Sequence, residues 1–234
     1  MKKSLPSADI YNKENKYMLW GILINELIEL IAERFPQNST VIDLMCGTGF
    51  LAREIKHQRP DLQITGVDIN EEYIDFAKEN NKNIEFIRED VMTFSTEKKF
   101  DLVLCTAGFH HVEFNKQQEL LFRLKNLLAE NGICISADPF IDSYKDEKGR
   151  SFGTAKLGYE YINAVIKNDA PDDILKATID ILERDLMLDG EYKTSVERFN
   201  DLAKDVFNRI ESKKTWPQME SEYGDYYFIL SASI

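Results

Sequence analysis

The chain has 234 residues, 43% of them hydrophobic and 11% aromatic, and its 29 basic against 41 acidic side chains leave a net charge of −12. This composition excludes a disordered chain, a fibre or a small disulfide-stapled fold, and the length suffices for one buried core with an elaboration. The negative balance repels phosphate backbones and anionic lipid, which excludes DNA as a partner, disfavours RNA and gives no reason to expect a membrane surface.

Near the N-terminus, Lys2 and Lys3 resemble the basic start of a signal peptide, but Pro6, Asp9, Asn12 and Lys13 stand where its apolar stretch belongs. No uncharged apolar run reaches the roughly 18 residues of a membrane span, so neither export nor insertion is expected. Apolar residues at Tyr17, Trp20, Leu23, Ile24, Leu27, Ile28 and Ile31 form one stripe at helical spacing and predict a core-packed helix from Lys16 to Arg34, stopped near Pro36.

Short apolar runs then alternate with helical patterns. Strands are predicted at Thr40–Leu44, Ile64–Val67, Ile84–Ile87, Leu102–Cys105 and Ile133–Ala137, with helices near 49–58, 71–80 and 116–129. Runs apolar at nearly every position suit strands covered on both faces, hence a parallel sheet between helical layers. Asn131-Gly132 is read as the left-handed cap of the third of these helices. Beyond Ile141 the pattern changes: Asp142–Arg150 is polar, and helices follow at 154–167 and 171–188. We read 142–193 as a helical lid inserted after the fifth strand of a single domain spanning 1–234. Thr194 and Glu197 have capping-box spacing for a helix carrying Val196, Phe199 and Leu202, and the runs Phe207–Trp216 and Tyr226–Leu230 suit an antiparallel pair.

Chemistry concentrates at strand ends. Val41-Ile42-Asp43-Leu44-Met45-Cys46-Gly47-Thr48-Gly49-Phe50 is a strand ending in an acid, a turn through two glycines and the start of a helix. Glycines permit close backbone approach, and the N–H groups at a helix start are free to meet a polar ligand. Asp68 closes the next strand, where a carboxylate can accept hydrogen bonds from both ribose hydroxyls, and Asp90 follows the third strand, within reach of an adenine amino group.

Gly47, Gly49 and Ala52 also satisfy the dinucleotide pattern G-x-G-x-x-A, with Asp68 about 20 residues beyond. Asp43 separates the two readings: an anion is a poor neighbour for a pyrophosphate and a good one for a sulfonium and an ammonium. With these motifs in order from Thr40 to about Ile141, the chain resembles the class I S-adenosylmethionine-dependent methyltransferases.

The resemblance implies a Rossmann-like α/β fold, a seven-stranded mostly parallel sheet of order 3-2-1-4-5-7-6 with strand 7 antiparallel. It implies S-adenosyl-L-methionine as cofactor, with Asp43, Gly47 and Gly49 around the methionine moiety, Asp68 on the ribose, Ile69 on one face of adenine, and Asp90 with Val91 at its edge. Cys105 and Thr106 would present backbone atoms to the methionine amino group, and Tyr11 or Tyr17 would close over the cofactor. The fourth strand ends Cys105-Thr106-Ala107-Gly108, which departs from the Asp/Asn-Pro-Pro-aromatic signature of relatives acting on exocyclic or amide nitrogens; Asp138-Pro139-Phe140 is similar in letters but stands one strand too late.

Phe109-His110-His111-Val112 follows the fourth strand on the acceptor side, and His110 is the candidate proton acceptor, because imidazole titrates near neutral pH. His57, among Lys56, Gln58 and Arg59, reads as solvated. Cys46, Cys105 and Cys134 lack C-x-x-C spacing, so no disulfide framework, zinc cluster or other resident metal is expected; buried inert thiols in a reducing cytoplasm fit best. Tyr159, Tyr161, Trp216 and Tyr223 are candidates for an acceptor pocket or for packing.

The expected function is methyl transfer to a small-molecule acceptor, in line along the carbon–sulfur axis. A nicotinamide-dependent oxidoreductase, a methyltransferase acting on RNA or protein, and a non-catalytic member of the fold are the alternatives.

Overall fold

The computed structural model describes residues 5–233, so Lys2 and Lys3 lie outside it. Five strands pair in parallel: β1 (Thr40–Leu44), β2 (Gln63–Asp68), β3 (Glu85–Arg88), β4 (Phe100–Thr106) and β5 (Leu128–Phe140). The tail supplies β6 (Arg209–Trp216) and β7 (Gly224–Ser231); β7 runs antiparallel between β5 and β6, completing the order β3-β2-β1-β4-β5-β7-β6. Order, parallel core and closing hairpin agree with the expectation.

Because successive strand residues face opposite sides, two cores form. Ile42, Leu44, Val103, Cys105 and Cys134 pack against α5 (Gln117–Asn126) and α8 (Val196–Lys204). Val41, Leu102, Leu104 and Ile135 pack against α2 (Trp20–Arg34), α3 (Phe50–Gln58) and α4 (Glu71–Asn80). Each face of the sheet is thereby removed from water, which is what the unbroken apolar strand runs required.

Three local expectations change. The helix predicted from Lys16 begins at Trp20, and a separate α1 (Ala8–Glu14), capped by Ser7, precedes it. The chain doubles back so tightly between them that a Cβ on Gly21 would stand 2.7 Å from the Asn15 carbonyl oxygen. Secondly, α5 ends at Asn126, and Asn131-Gly132 lies inside β5, not at a helix cap. There β5 bulges: Phe100 pairs with Leu128, but Leu102 pairs with Ile133. Gly132 is needed because a Cβ would come within 2.6 Å of the Phe100 carbonyl oxygen. Thirdly, the cap of α8 is Ser195, not Thr194; its hydroxyl accepts from the Arg198 N–H at 3.2 Å.

After β5 come α6 (Glu147–Lys167) and α7 (Asp172–Met187), lying between β5 and α8 as the predicted insertion does. The first starts earlier than the polar run suggested, because Asp146 caps it through the Gly149 N–H at 2.8 Å. The Asn168 amide donates to the Tyr17 carbonyl at 2.7 Å and ties this pair to the α1–α2 turn. No helix among the described residues is long and apolar enough to cross a membrane.

A Cβ at Gly132 would meet unyielding backbone, so Gly132→Ala is expected to lower stability by about 1–3 kcal/mol, measured by urea unfolding. A neutral result would mean the bulge has room to relax.

Candidate active site

β1 leads into a turn that only unusual backbone angles can make: Met45, Gly47 and Gly49 all have positive φ, at 62°, 55° and 72°. Gly49 opens α3, and a Cβ there would lie 2.7 Å from the Phe86 ring; at Gly47 it would lie 2.9 Å from the Tyr11 ring. Asp68, at the end of β2, accepts from the Gly47 N–H and from the Asn70 N–H, both at 2.8 Å, so it binds the turn to its own strand. Asn70 performs the helix capping, accepting from the Tyr73 N–H at 3.3 Å. Asp90 follows β3 and accepts from the Met92 N–H at 2.8 Å.

These pieces open on two cavities. The larger, about 380 Å³, is lined by Gly47, Asp68, Ile69, Asp90 and Val91 and also by His110, Leu157 and Leu182. The smaller, about 30 Å³, is bordered by Asp43, Thr48 and Thr106, with Tyr11 between the two. Ile69 is 60% exposed, as an apolar residue awaiting a flat ligand would be. Asp43, only 2% exposed, accepts no hydrogen bond among the described residues, and burial, then the charge of Asp68, pushes its pKa up to about 7.

Tyr11, not Tyr17, meets the cavities; Tyr17 lies in the α1–α2 turn. Gly49 lines neither cavity and acts through the turn, and the Cys105 side chain is buried in the sheet core. Burial raises the Cys46 and Cys105 thiols, which suits inert residues. His57 is solvent-facing, 3.8 Å from Glu54. Of the four aromatics considered for the acceptor side, Tyr161 reaches the cavity; Tyr159 points to solvent, and Trp216 and Tyr223 pack with Ile141 and Leu157.

His110 belongs to a short 3-10 turn, Phe109–His111, following β4. Its Nδ1 bonds to Asp138 at the end of β5, whose second oxygen accepts from the Phe109 N–H at 2.9 Å. Its Nε2 lies 3.3 Å from Glu191, and Lys193 sits 3.0 Å from Glu191 and 2.9 Å from Asp185. Burial, followed by His111 and Lys193, lowers the His110 pKa, so the ring is neutral at pH 7. Burial alone would raise Glu191, but Lys193 and then the two histidines hold it at about 2.

The sequence reading missed Asp138, Glu191 and Lys193. It also missed Glu14, a cavity-lining acid with one unpartnered oxygen that burial raises to about 8. Asp138 had a signal, its place at a strand end; the others come from segments without a motif.

Residues 41–132 match the family model described as a methyltransferase domain. The chain is 27% identical to malonyl-[acyl-carrier protein] O-methyltransferase 1 of Ilyobacter polytropus over 180 residues, covering 76% of this chain and 64% of that protein. It is 25% identical to carboxy-S-adenosyl-L-methionine synthase of Campylobacter hominis over 174 residues, covering 70% and 74% of the two. Among solved structures, the plantazolicin methyltransferase BpumL, in complex with a desmethyl analogue and S-adenosylhomocysteine, superposes with a TM-score of 0.62 over 95% of this chain and 88% of that one at 16% identity. Residues 41–132 thus match a methyltransferase domain, and the chain as a whole is similar in sequence and fold to S-adenosylmethionine-dependent methyltransferases.

The residues present fit that cofactor. Gly47 lines the larger cavity, and Thr48 Oγ1 and Thr106 Oγ1 are buried without partners among the described residues, beside the uncompensated Asp43. Hydroxyls and a carboxylate left in this state await a ligand with both donors and positive charge.

An unfolded Asp titrates near 4, whereas folded Asp43 titrates at about 7. The folded state therefore holds this proton more tightly, and the resulting stability is complete below pH about 4 and lost as pH rises through about 7. The ligand-free protein should lose melting temperature between pH 5 and 8, and Asp43→Asn should flatten that loss, by on the order of 4 kcal/mol at most. Parallel profiles for the two proteins would contradict this assignment.

Proposed function

We propose that this methyltransferase transfers the methyl group of S-adenosylmethionine to a small-molecule acceptor. The observation that carries the reading is the convergence of three acids, Asp43, Asp68 and Asp90, each at or beyond the end of its own parallel strand, around a glycine turn with open backbone. Asp68 is assigned to the ribose hydroxyls, Ile69 and Val91 to the adenine ring, and Asp90 to its amino edge. Asp43, Gly47 and Thr106 are assigned to the methionine portion, with Gly49 shaping the turn, Cys105 contributing backbone and Tyr11 covering the turn. When bound, S-adenosylmethionine supplies an electrophilic methyl on a sulfonium, attacked by the acceptor along the carbon–sulfur axis.

The protein's part is to hold the partners in line and dry. Leu157, Ile181 and Leu182, from α6 and α7, provide an apolar wall opposite the strand ends, so we assign residues 142–193 the role of a lid on the domain. His110, with Asp138 holding its Nδ1, is the group that faces the acceptor's reacting atom. A small acceptor suits this covered cavity, and a net charge of −12 disfavours nucleic acid. The three free thiols suit a reducing cytoplasm.

A nicotinamide-dependent oxidoreductase keeps one supporting observation, the G-x-G-x-x-A spacing of Gly47, Gly49 and Ala52. Thermal shift in the presence of S-adenosylmethionine, S-adenosylhomocysteine, NAD(H) and NADP(H) separates the two, with stabilisation by the first pair expected. Stabilisation by a nicotinamide cofactor alone would end the proposal.

Asp68→Ala is expected to raise the dissociation constant for S-adenosylhomocysteine at least tenfold, about 1.4 kcal/mol, by calorimetric titration. Unchanged affinity would remove Asp68 from the ribose site.

A further inference from the structure

We propose that His110, His111 and Glu191 form a mononuclear site for a divalent transition-metal ion at the acceptor end of the cavity. One ring nitrogen from each histidine and one Glu191 oxygen lie within 4.8 Å of one another. His110 Nε2 and Glu191 Oε2 are 3.3 Å apart; two ligands held at about 2.0–2.1 Å with tetrahedral angles would be separated by about that distance.

The outer shell is already built. Metal-binding imidazoles commonly donate their other N–H to a carboxylate or a backbone carbonyl, which fixes the tautomer and the ring orientation. Both histidines have such a partner: His110 Nδ1 meets Asp138, and His111 Nδ1 meets the Gly190 carbonyl at 2.9 Å. With its Nδ1 proton donated to Asp138, His110 keeps a lone pair on Nε2; His111 Nδ1 lies 3.7 Å from Glu191 Oε1 as well as against Gly190. Asp138 is anchored in turn by the Phe109 N–H, and Glu191 by Lys193.

His110 Nε2 makes no hydrogen bond among the described residues: the Glu191 oxygen beside it is an acceptor, and Lys193 and Asp185 complete the group. The buried Lys193 ammonium contacts Asp185 and Glu191, with Asp138 also buried nearby and the buried Arg150 guanidinium beside Asp185. The nearby Arg184 is half-buried and donates through Nε to the Asp189 carbonyl at 3.1 Å. Two acceptors facing each other in this setting are reconciled by a cation between them.

The donor set, two imidazoles and one carboxylate, suits manganese, iron, cobalt or zinc better than the all-oxygen preference of calcium and magnesium. All three residues line the cavity that also holds Gly47 and Asp68. The remaining coordination positions would therefore take an oxygen or nitrogen of the acceptor, and His110 would act on the acceptor through the ion. Metal uptake needs no S-adenosylmethionine, so it can fail or succeed independently of the methyl-transfer reading.

The test uses the full chain, stripped with a chelator and titrated with Co(II), Zn(II) and Mn(II), with bound metal measured by mass spectrometry and Co(II) followed by its visible absorption. One equivalent of at least one ion is expected. Glu191→Gln and His110→Ala should each weaken binding at least tenfold, Asp138→Asn by about 10–100-fold, and His57→Ala not at all. Should the buried variants fail to fold by circular dichroism, His111→Ala, at a half-buried position, is expected to show the same loss. Absence of stoichiometric uptake, or uptake unchanged in folded His111→Ala or Glu191→Gln, overturns the site.

Discussion

The parallel register of β1 on β2 is the constraint from which the site follows. It sets Asp43 opposite Gly66 and Leu44 opposite Val67, so the two strands end within a residue of each other and Asp68 lies two residues beyond the position opposite Asp43. The Cys46 N–H donates to the Val67 carbonyl at 3.0 Å and the Gly47 N–H to Asp68, so the glycine turn is laced to the neighbouring strand. Phe86 on β3 completes the arrangement: its ring lies 2.6 Å from a Cβ position at Gly66 and 2.7 Å from one at Gly49. One aromatic side chain occupies the space both glycines leave, and a side chain at either would push the turn off its strand.

That geometry crowds negative charge at a place with little water. Asp43 is held partly protonated by burial and by Asp68, and Glu14 is raised still further. Such groups are costly unless a ligand supplies what the protein does not. A cationic nucleoside with an ammonium group relieves that cost, whereas a pyrophosphate would add to it, so the same residues that destabilise the ligand-free pocket at high pH discriminate between cofactor classes.

The His110 end of the cavity is built differently. His110 comes from the turn after β4, Asp138 from the end of β5, and Glu191 with Lys193 from the chain leaving α7. Each buried ionic group is held by another: Asp138 by a backbone N–H, Glu191 by Lys193, and Lys193 by Asp185. Such linkage fixes side-chain positions more firmly than a solvated surface would. The tie from Asn168 to the Tyr17 carbonyl joins the α6–α7 pair to the segment that brings Tyr11 against Gly47.

Local pattern was sufficient for the sheet and for the glycine turn with its neighbouring acids, because both depend on interactions close along the chain. Apolar strand runs, glycines needing positive φ and an acid at or close to the ends of β1, β2 and β3 are consequences of backbone sterics and burial that survive in one dimension. Even there, Gly132 misled, because its reason is a carbonyl of β4 more than thirty positions away. The α1–α2 break was hidden for a like reason, since the helical stripe continues through residues that the close approach of Gly21 to Asn15 forces into a turn. The histidine–carboxylate–lysine group belongs wholly to tertiary structure: His110 and Asp138 are 28 positions apart, and His111 reaches Gly190 across 79. No spacing rule spans such loops; only the packing of α6 and α7 over the strand ends decides which charges are buried together.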